Sequence, residues 1–371
     1  MIKQIGFEEH RENGKLCYHE ATLRLDGEST YLQLFDIYLR PKDVLADCFD
    51  RIFPKEQKGH TYHSIMTMQN DFRPWNGWVF RGQAKSSYRL KPSFERMYFD
   101  KKEILKDLFK LEQGIIRDFK RNVRAFYPEY SSIKDNDIYE YMSLVQHFGG
   151  ATRFLDATFS FFIALFFAIG NIELDSNEKS TEGKYRQFSI WCFDRVWIEY
   201  RYKDFLPPNI IELYDTIDKF GKDPQIQEEV LNYIPNMKKS SSERNERYKT
   251  EFRSVINMNP FNLNSRINRQ KGLFLMPTNP YCTFEDNLFN MVQDEDDSWH
   301  ILKINVEYDN NALLHMQKCL DAMNINHFVL FENLDGMCRN INMKACFPDD
   351  SITIPPSRIQ QDSSNKSNFD L

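Results

Sequence analysis

An arginine closes an apolar run at Trp78-Val79-Phe80-Arg81-Gly82-Gln83. Aromatic and β-branched residues suit a pleated surface, so Gly77 to Phe80 predicts a buried strand. A guanidinium at the end of such a strand needs an anionic or hydrogen-bonding partner, because an unpaired buried charge is costly. Two chemistries are open to Arg81: a bidentate contact to a pyrophosphate, or an ion pair with an acidic core neighbour. Gly82 permits close backbone approach. Gln83 carries a neutral amide, suited to recognising a base edge or carboxamide, or to holding a turn.

A second dense stretch runs from Gln146 to Thr158 and has neither helical nor strand period. His147 has a side-chain pKa near neutrality, so it can act as a general base or hold a ribose hydroxyl. A buried histidine bonded to a backbone carbonyl is the alternative. Asp156 can orient His147 or Arg153, or cap the apolar helix that follows. Arg153 reads most simply as the ion-pair partner of Asp156 or Glu95. Thr152 and Thr158 offer hydroxyls to a ligand or to the backbone. A third stretch, Ser265 to Leu275, places polar side chains directly before a strand, and Gln270 is its second amide candidate.

These residues need elements to position them. Ile104, Leu108, Leu111, Ile115, Phe119, Val123 and Phe126 recur at helical spacing and predict one buried stripe, stopped by Pro128. Ile138 to Phe148 predicts a second helix, ended by Gly149-Gly150. Phe159 to Ile172 is apolar on nearly all sides, as a deeply buried helix is. Strands are predicted at Ala21–Leu25 and Thr30–Leu34 around Asp26-Gly27, at 188–193, after Gly272 and over 299–306. A short helix is expected from Val44 to Ile52, another from Asn311 to Met323, and a strand or turn from Phe328 to Gly336. The organisation expected is an N-terminal β/α piece over 1–72, a main domain over 73–348, and a disordered tail over 349–371. Residues 203–251 read as a helical insertion or lid.

With 371 residues and 15 % aromatics, the chain can bury a real core. A net charge of -6, from 48 basic and 54 acidic residues, argues against broad electrostatic capture of nucleic acid. The seven cysteines are scattered, with no CxxC pair, so neither a zinc site nor a disulfide framework is expected. No N-terminal signal region and no apolar run long enough to cross a bilayer occur, which predicts a cytoplasmic protein without membrane contact.

Taken together, the blocks resemble the FRG domain family, named for Phe-Arg-Gly. Phe80-Arg81-Gly82-Gln83 with Leu90 to Arg96 looks like the family opening. Val145 to Gly149 with Thr152 to Thr158 and Ala164 to Ala168 looks like its central block, Arg266 to Phe274 like its third, and Ile325-Asn326 with Leu330 to Gly336 like its end. The family usually has Pro where Glu332 stands and Trp where Ala157 stands. More distantly, aromatic-Arg-Gly at a strand end is similar to the first motif of arginine-type ADP-ribosyltransferases, and Thr158-Phe159-Ser160 is similar to their Ser/Thr-rich strand.

That resemblance implies an α+β fold, with a central mixed or antiparallel sheet, flanking helices and a small N-terminal β-rich appendage. It implies NAD as substrate, contacted by Arg81, Gly82, Gln83, Thr152, Arg153, Asp156, Thr158 and Ser160. His147 and Gln270 stand as catalytic candidates, Gln270 where those enzymes carry a glutamate. Glu285 is the next glutamate downstream, without a motif. The implied role is an ADP-ribosyltransferase or NAD glycohydrolase, acting on a protein or nucleic-acid acceptor or on water. It would serve as a bacterial toxin or phage-defence effector, with a partner protein or antitoxin. The alternative is a non-catalytic module that senses a nucleotide or binds a partner.

Overall fold

Alternation along a strand sends neighbouring side chains to opposite sides of its sheet. In the computed structural model the opening run is a strand, Trp78–Gln83. Trp78 and Phe80 enter one apolar layer and Val79 the other. The structure describes residues 3–25, 30–46, 48–53, 74–105, 107–128, 130, 133, 137–172, 186–205, 253–259 and 265–347.

Eight strands form one mixed sheet. They are β1 (Lys3–Glu12), β2 (Lys15–Arg24), β3 (Trp78–Gln83), β4 (Leu155–Thr158), β5 (Arg186–Asp194), β6 (Val255–Met258), β7 (Gly272–Pro277) and β8 (Ile301–Tyr308). Their order across the sheet is β1-β2-β8-β5-β3-β4-β7-β6. β2 and β8 run parallel, and the other neighbours antiparallel. The 1–72 piece, expected as a small N-terminal appendage, contributes β1 and β2, which extend this same sheet through β8.

Helices cover both faces. On one lie Leu108–Phe126 and Ile138–His147, which pack Ile116, Val123, Tyr141 and Met142 against Val79, Trp191 and Leu275. On the other lie Phe161–Ile169 and Asn310–Ala322, which pack Phe161, Leu165, Leu313 and Met316 against Phe80, Ile190 and Ile304. The first pair starts at aspartate caps: Asp107 accepts from the Lys110 N–H and Asp137 from that of Glu140.

Glycine at position 82 is required by this packing. A Cβ there would sit 1.8 Å from the carbonyl oxygen of Ala164 and 2.7 Å from the nitrogen of Ala168. The Phe161–Ile169 helix therefore rests backbone to backbone on β3. Phe-Arg-Gly thus divides its work: Phe80 fills one core layer, Gly82 seats a helix on that layer, and Arg81 is turned to the opposite side of the strand.

Several expectations are corrected. The N-terminal hairpin turns at Asn13-Gly14, where both residues have positive φ (51° and 81°) as a primed turn requires, while the expected turn at Asp26-Gly27 lies outside the described residues. Thr30–Leu39 is a helix, because its apolar residues satisfy a spacing of three and four as well as alternation. The helix expected from Val44 to Ile52 is two single turns, Pro41–Val44 and Phe49–Ile52. Phe328 to Gly336 belongs to two helices, His327–Phe331 and Leu334–Ala345, capped by Asn326 and Asn333. Ile104 and Phe126, placed in a buried stripe, are 81 % and 76 % exposed. The expected lid over 203–251 and tail over 349–371 fall almost wholly outside the described residues. Among the described residues no helix is long and apolar enough to cross a membrane.

Candidate functional site

The ladder between β3 and β4 consists of a single pair, Phe80 opposite Thr158. β3 stays paired to β5 along its whole length, and β4 to β7. Beyond Phe80 the sheet therefore splits down its middle. The split opens a cavity of about 300 Å³, at the lower end of ordinary ligand sites. Arg81 and Gly82 form one lip of the cavity, and Asp156, Ala157 and Thr158 the other. Ser143, Gln146 and His147 enter from the Ile138–His147 helix, Phe167 from the opposite face, and Arg266 and Gln270 from the Ser265–Arg269 helix and its end.

Arg81 spans the split. Its Nη1 donates to the Asp156 carbonyl at 2.6 Å and stands 3.9 Å from the Asp156 carboxylate. Its Nε is buried with no hydrogen-bond partner among the described residues. Burial lowers the Arg81 pKa, opposed by Asp156 and reinforced by Arg96. Burial likewise lowers that of Arg266, again opposed by Asp156. Two guanidinium groups thus face one cavity whose lining carries a single carboxylate, and their desolvation favours an incoming anion.

Asp156 is held by its neighbours. Its side chain is 61 % exposed. The Gln146 amide donates to both carboxylate oxygens at 3.0 and 3.1 Å. Thr152 Oγ1 in turn donates to Gln146 Oε1 at 2.5 Å, which fixes the orientation of that amide. His147 has its Nδ1 buried and unpartnered among the described residues. Burial first, then Arg266, holds its pKa below the ordinary value, so the imidazole is neutral near pH 7. The Arg266 guanidinium reaches the His147 carbonyl at 3.5 Å and lies 4.8 Å from the centre of the Phe331 ring.

Of the residues singled out from the sequence, Arg81, Gly82, His147, Asp156, Thr158 and Gln270 meet in this cavity. Four others do not line it. Gln83 donates to the Arg89 carbonyl and accepts from the Trp191 indole N–H. Thr152 reaches the site through Gln146, and its hydroxyl also accepts from the Phe154 N–H. Arg153 forms a buried bidentate pair with Glu112, and not with Asp156 or Glu95. Ser160 caps the Phe161–Ile169 helix by accepting from the Ile163 N–H, the place foreseen for Asp156 or Thr158. Thr158 Oγ1 donates to the Gln270 carbonyl, and the Gln270 amide donates to the Leu330 carbonyl. Glu285 accepts from Arg89 and from the Leu90 N–H, outside the cavity.

Arg266 and Gln146 are the members that sequence reasoning passed over. Arg266 carried one signal: it stands four residues before Gln270, so the two share a helical face. Among the described residues no group of His, Cys, Asp and Glu could hold a metal ion. Residues 76–177 match the model of the FRG domain, a span that includes Arg81, His147 and Asp156 but not Arg266 or Gln270. No curated protein and no solved structure matches the chain.

Proposed function

From a chain that carries an FRG domain over residues 76–177, we propose that the split in the sheet binds NAD or a related nucleotide and cleaves its glycosidic bond. The observation behind this reading is the convergence of Arg81 and Arg266, from different elements, on one cavity with a neutral histidine and a single carboxylate. The phosphates lie between the two guanidinium groups, whose N–H forks suit phosphate oxygens. Asp156 faces the ribose. As the bond from C1′ to nicotinamide breaks, its electron pair leaves with nicotinamide, and the Asp156 carboxylate stabilises the positive charge left on the sugar. Water or an acceptor nucleophile adds at C1′, and its proton passes to neutral His147. Gln270 offers its Oε1 to the nicotinamide amide. Such a reaction makes the chain an effector of toxin or phage-defence type, acting on NAD itself or on a protein or nucleic-acid acceptor.

The test is nicotinamide release and label transfer from labelled NAD, in buffer and in cell lysate. Wild type should turn over, Arg81→Ala should lose binding, and Asp156→Asn should bind without turnover. A second reading has its own support: the Asp156 carboxylate is already engaged by Gln146, as befits a site that binds without reacting. NAD-dependent thermal stabilisation of wild type with no nicotinamide release selects that nucleotide-sensing module. Neither turnover nor stabilisation, by NAD or by other nucleotides, removes both.

A further inference from the structure

The segment Leu330-Phe331-Glu332 touches the Ser265–Arg269 helix and its end at three consecutive residues. The Leu330 carbonyl accepts from the Gln270 amide at 3.1 Å. Glu332 pairs with Arg269 at 2.6 Å. Between them, the Arg266 guanidinium sits over the Phe331 ring, 4.8 Å from its centre. The ring is itself fixed by stacking on His327 at 5.9 Å and edge contact with Phe167, which lines the cavity. A guanidinium over an aromatic face is attracted to it, and the contact restricts which way the fork of N–H donors can point.

We infer that Phe331 is the positioning residue of the anion site: its ring holds Arg266 with its donors turned into the cavity, so that Arg81 and Arg266 form one preorganised clamp for a diphosphate. The inference rests on the proposed nucleotide reading and adds to it that the C-terminal pair of helices, outside the matched FRG span, completes the site. Phe331 touches no ligand; it acts through Arg266.

Inorganic pyrophosphate is the probe, titrated calorimetrically into the full chain. Phe331→Met keeps the apolar volume and removes the ring. It should weaken pyrophosphate binding by about three- to thirtyfold, the range of a partly desolvated cation–π contact. Phe331→Tyr should restore wild-type affinity. In an Arg266→Ala background Phe331→Met should change affinity no further, whereas a general packing defect would weaken binding in both backgrounds. Thermal midpoints, followed by circular dichroism, separate a folding failure from a loss of the clamp. If Phe331→Tyr binds as poorly as Phe331→Met, or if the Arg266→Ala background still shows the loss, the positioning role is overturned while the anion site stands. If wild type binds no pyrophosphate, the anion site and the clamp fall together.

Discussion

Arg81 is anchored to the backbone of Asp156 and not to its side chain: Nη1 lies 2.6 Å from the carbonyl oxygen and 3.9 Å from the carboxylate. The arginine thus takes the place of the ladder where β3 and β4 part company, and leaves the carboxylate to Gln146.

This separation makes Asp156→Asn a clean probe. The mutated group is mostly exposed, and a distant surface-type ion pair contributes about 0–1 kcal/mol. Urea denaturation should therefore place the variant within about 1 kcal/mol of wild type, while nicotinamide release from NAD falls by at least about a hundredfold. Equal loss of folding and turnover would contradict the geometry.

Gly82→Ala should be among the most damaging small changes in the chain. The new methyl would collide with the Ala164 carbonyl and the Ala168 nitrogen, both backbone atoms that cannot swing aside. A loss of about 3 kcal/mol or more is expected, or no soluble protein. A melting temperature within a degree of wild type would show that the helix does not rest on this strand.

The Arg153–Glu112 pair is structural, with side chains 5 % and 4 % exposed. Glu112→Gln should cost about 3–5 kcal/mol, since it removes the Glu112 charge from a buried guanidinium. The double replacement Glu112→Leu with Arg153→Met should recover most of that loss. Equilibrium unfolding of Glu112→Leu, of Arg153→Met and of the double, treated as a cycle, measures the coupling.

Glu95 carries a pH signature. Burial raises its pKa to about 7, opposed by the Phe284 N–H that it accepts and by Lys91. A carboxyl whose folded pKa lies above its unfolded value binds protons more tightly when folded. Its contribution to stability is therefore fully present below the unfolded value of 4.5 and is lost as pH rises towards 7. Comparison of wild type with Glu95→Gln between pH 4.5 and 8 should show the wild type losing thermal stability faster as pH rises. Parallel curves would remove Glu95 from that role.

Much of the frame was legible because its signals are local. The Leu108–Phe126 and Ile138–His147 helices follow from apolar spacing and aspartate caps. β3, β5 and β8 follow from dense aromatic and β-branched runs, and the blocks around Arg81 and His147 fall within the matched FRG span. What escaped was non-local. Nothing in the residues of β3 or β4 announces that they pair only at Phe80 and Thr158. Arg266 shares a helical face with Gln270, but nothing in its neighbours shows that the fold turns it towards the split. The sequence offers Asp156 and Glu95 as partners for Arg153, and only the packing of the Leu108–Phe126 helix brings Glu112, 41 residues away, to it instead. Glu332 shows the reverse case. Its φ of +49° is closed to proline, whose ring locks φ near −65°, so the proline that the resemblance leads one to expect at this position could not make this turn.

The split between β3 and β4 has a wider consequence. The outer edges of a sheet offer hydrogen-bonding groups to any passing strand, which is why exposed edges invite polymerisation. A break inside the sheet creates the same kind of edge but turns it inward, walled by helices on both faces and by paired strands on both flanks. Such an inward edge is kept from edge-to-edge pairing with another chain, and the cavity beside it, about 300 Å³, has the volume of a small-molecule site.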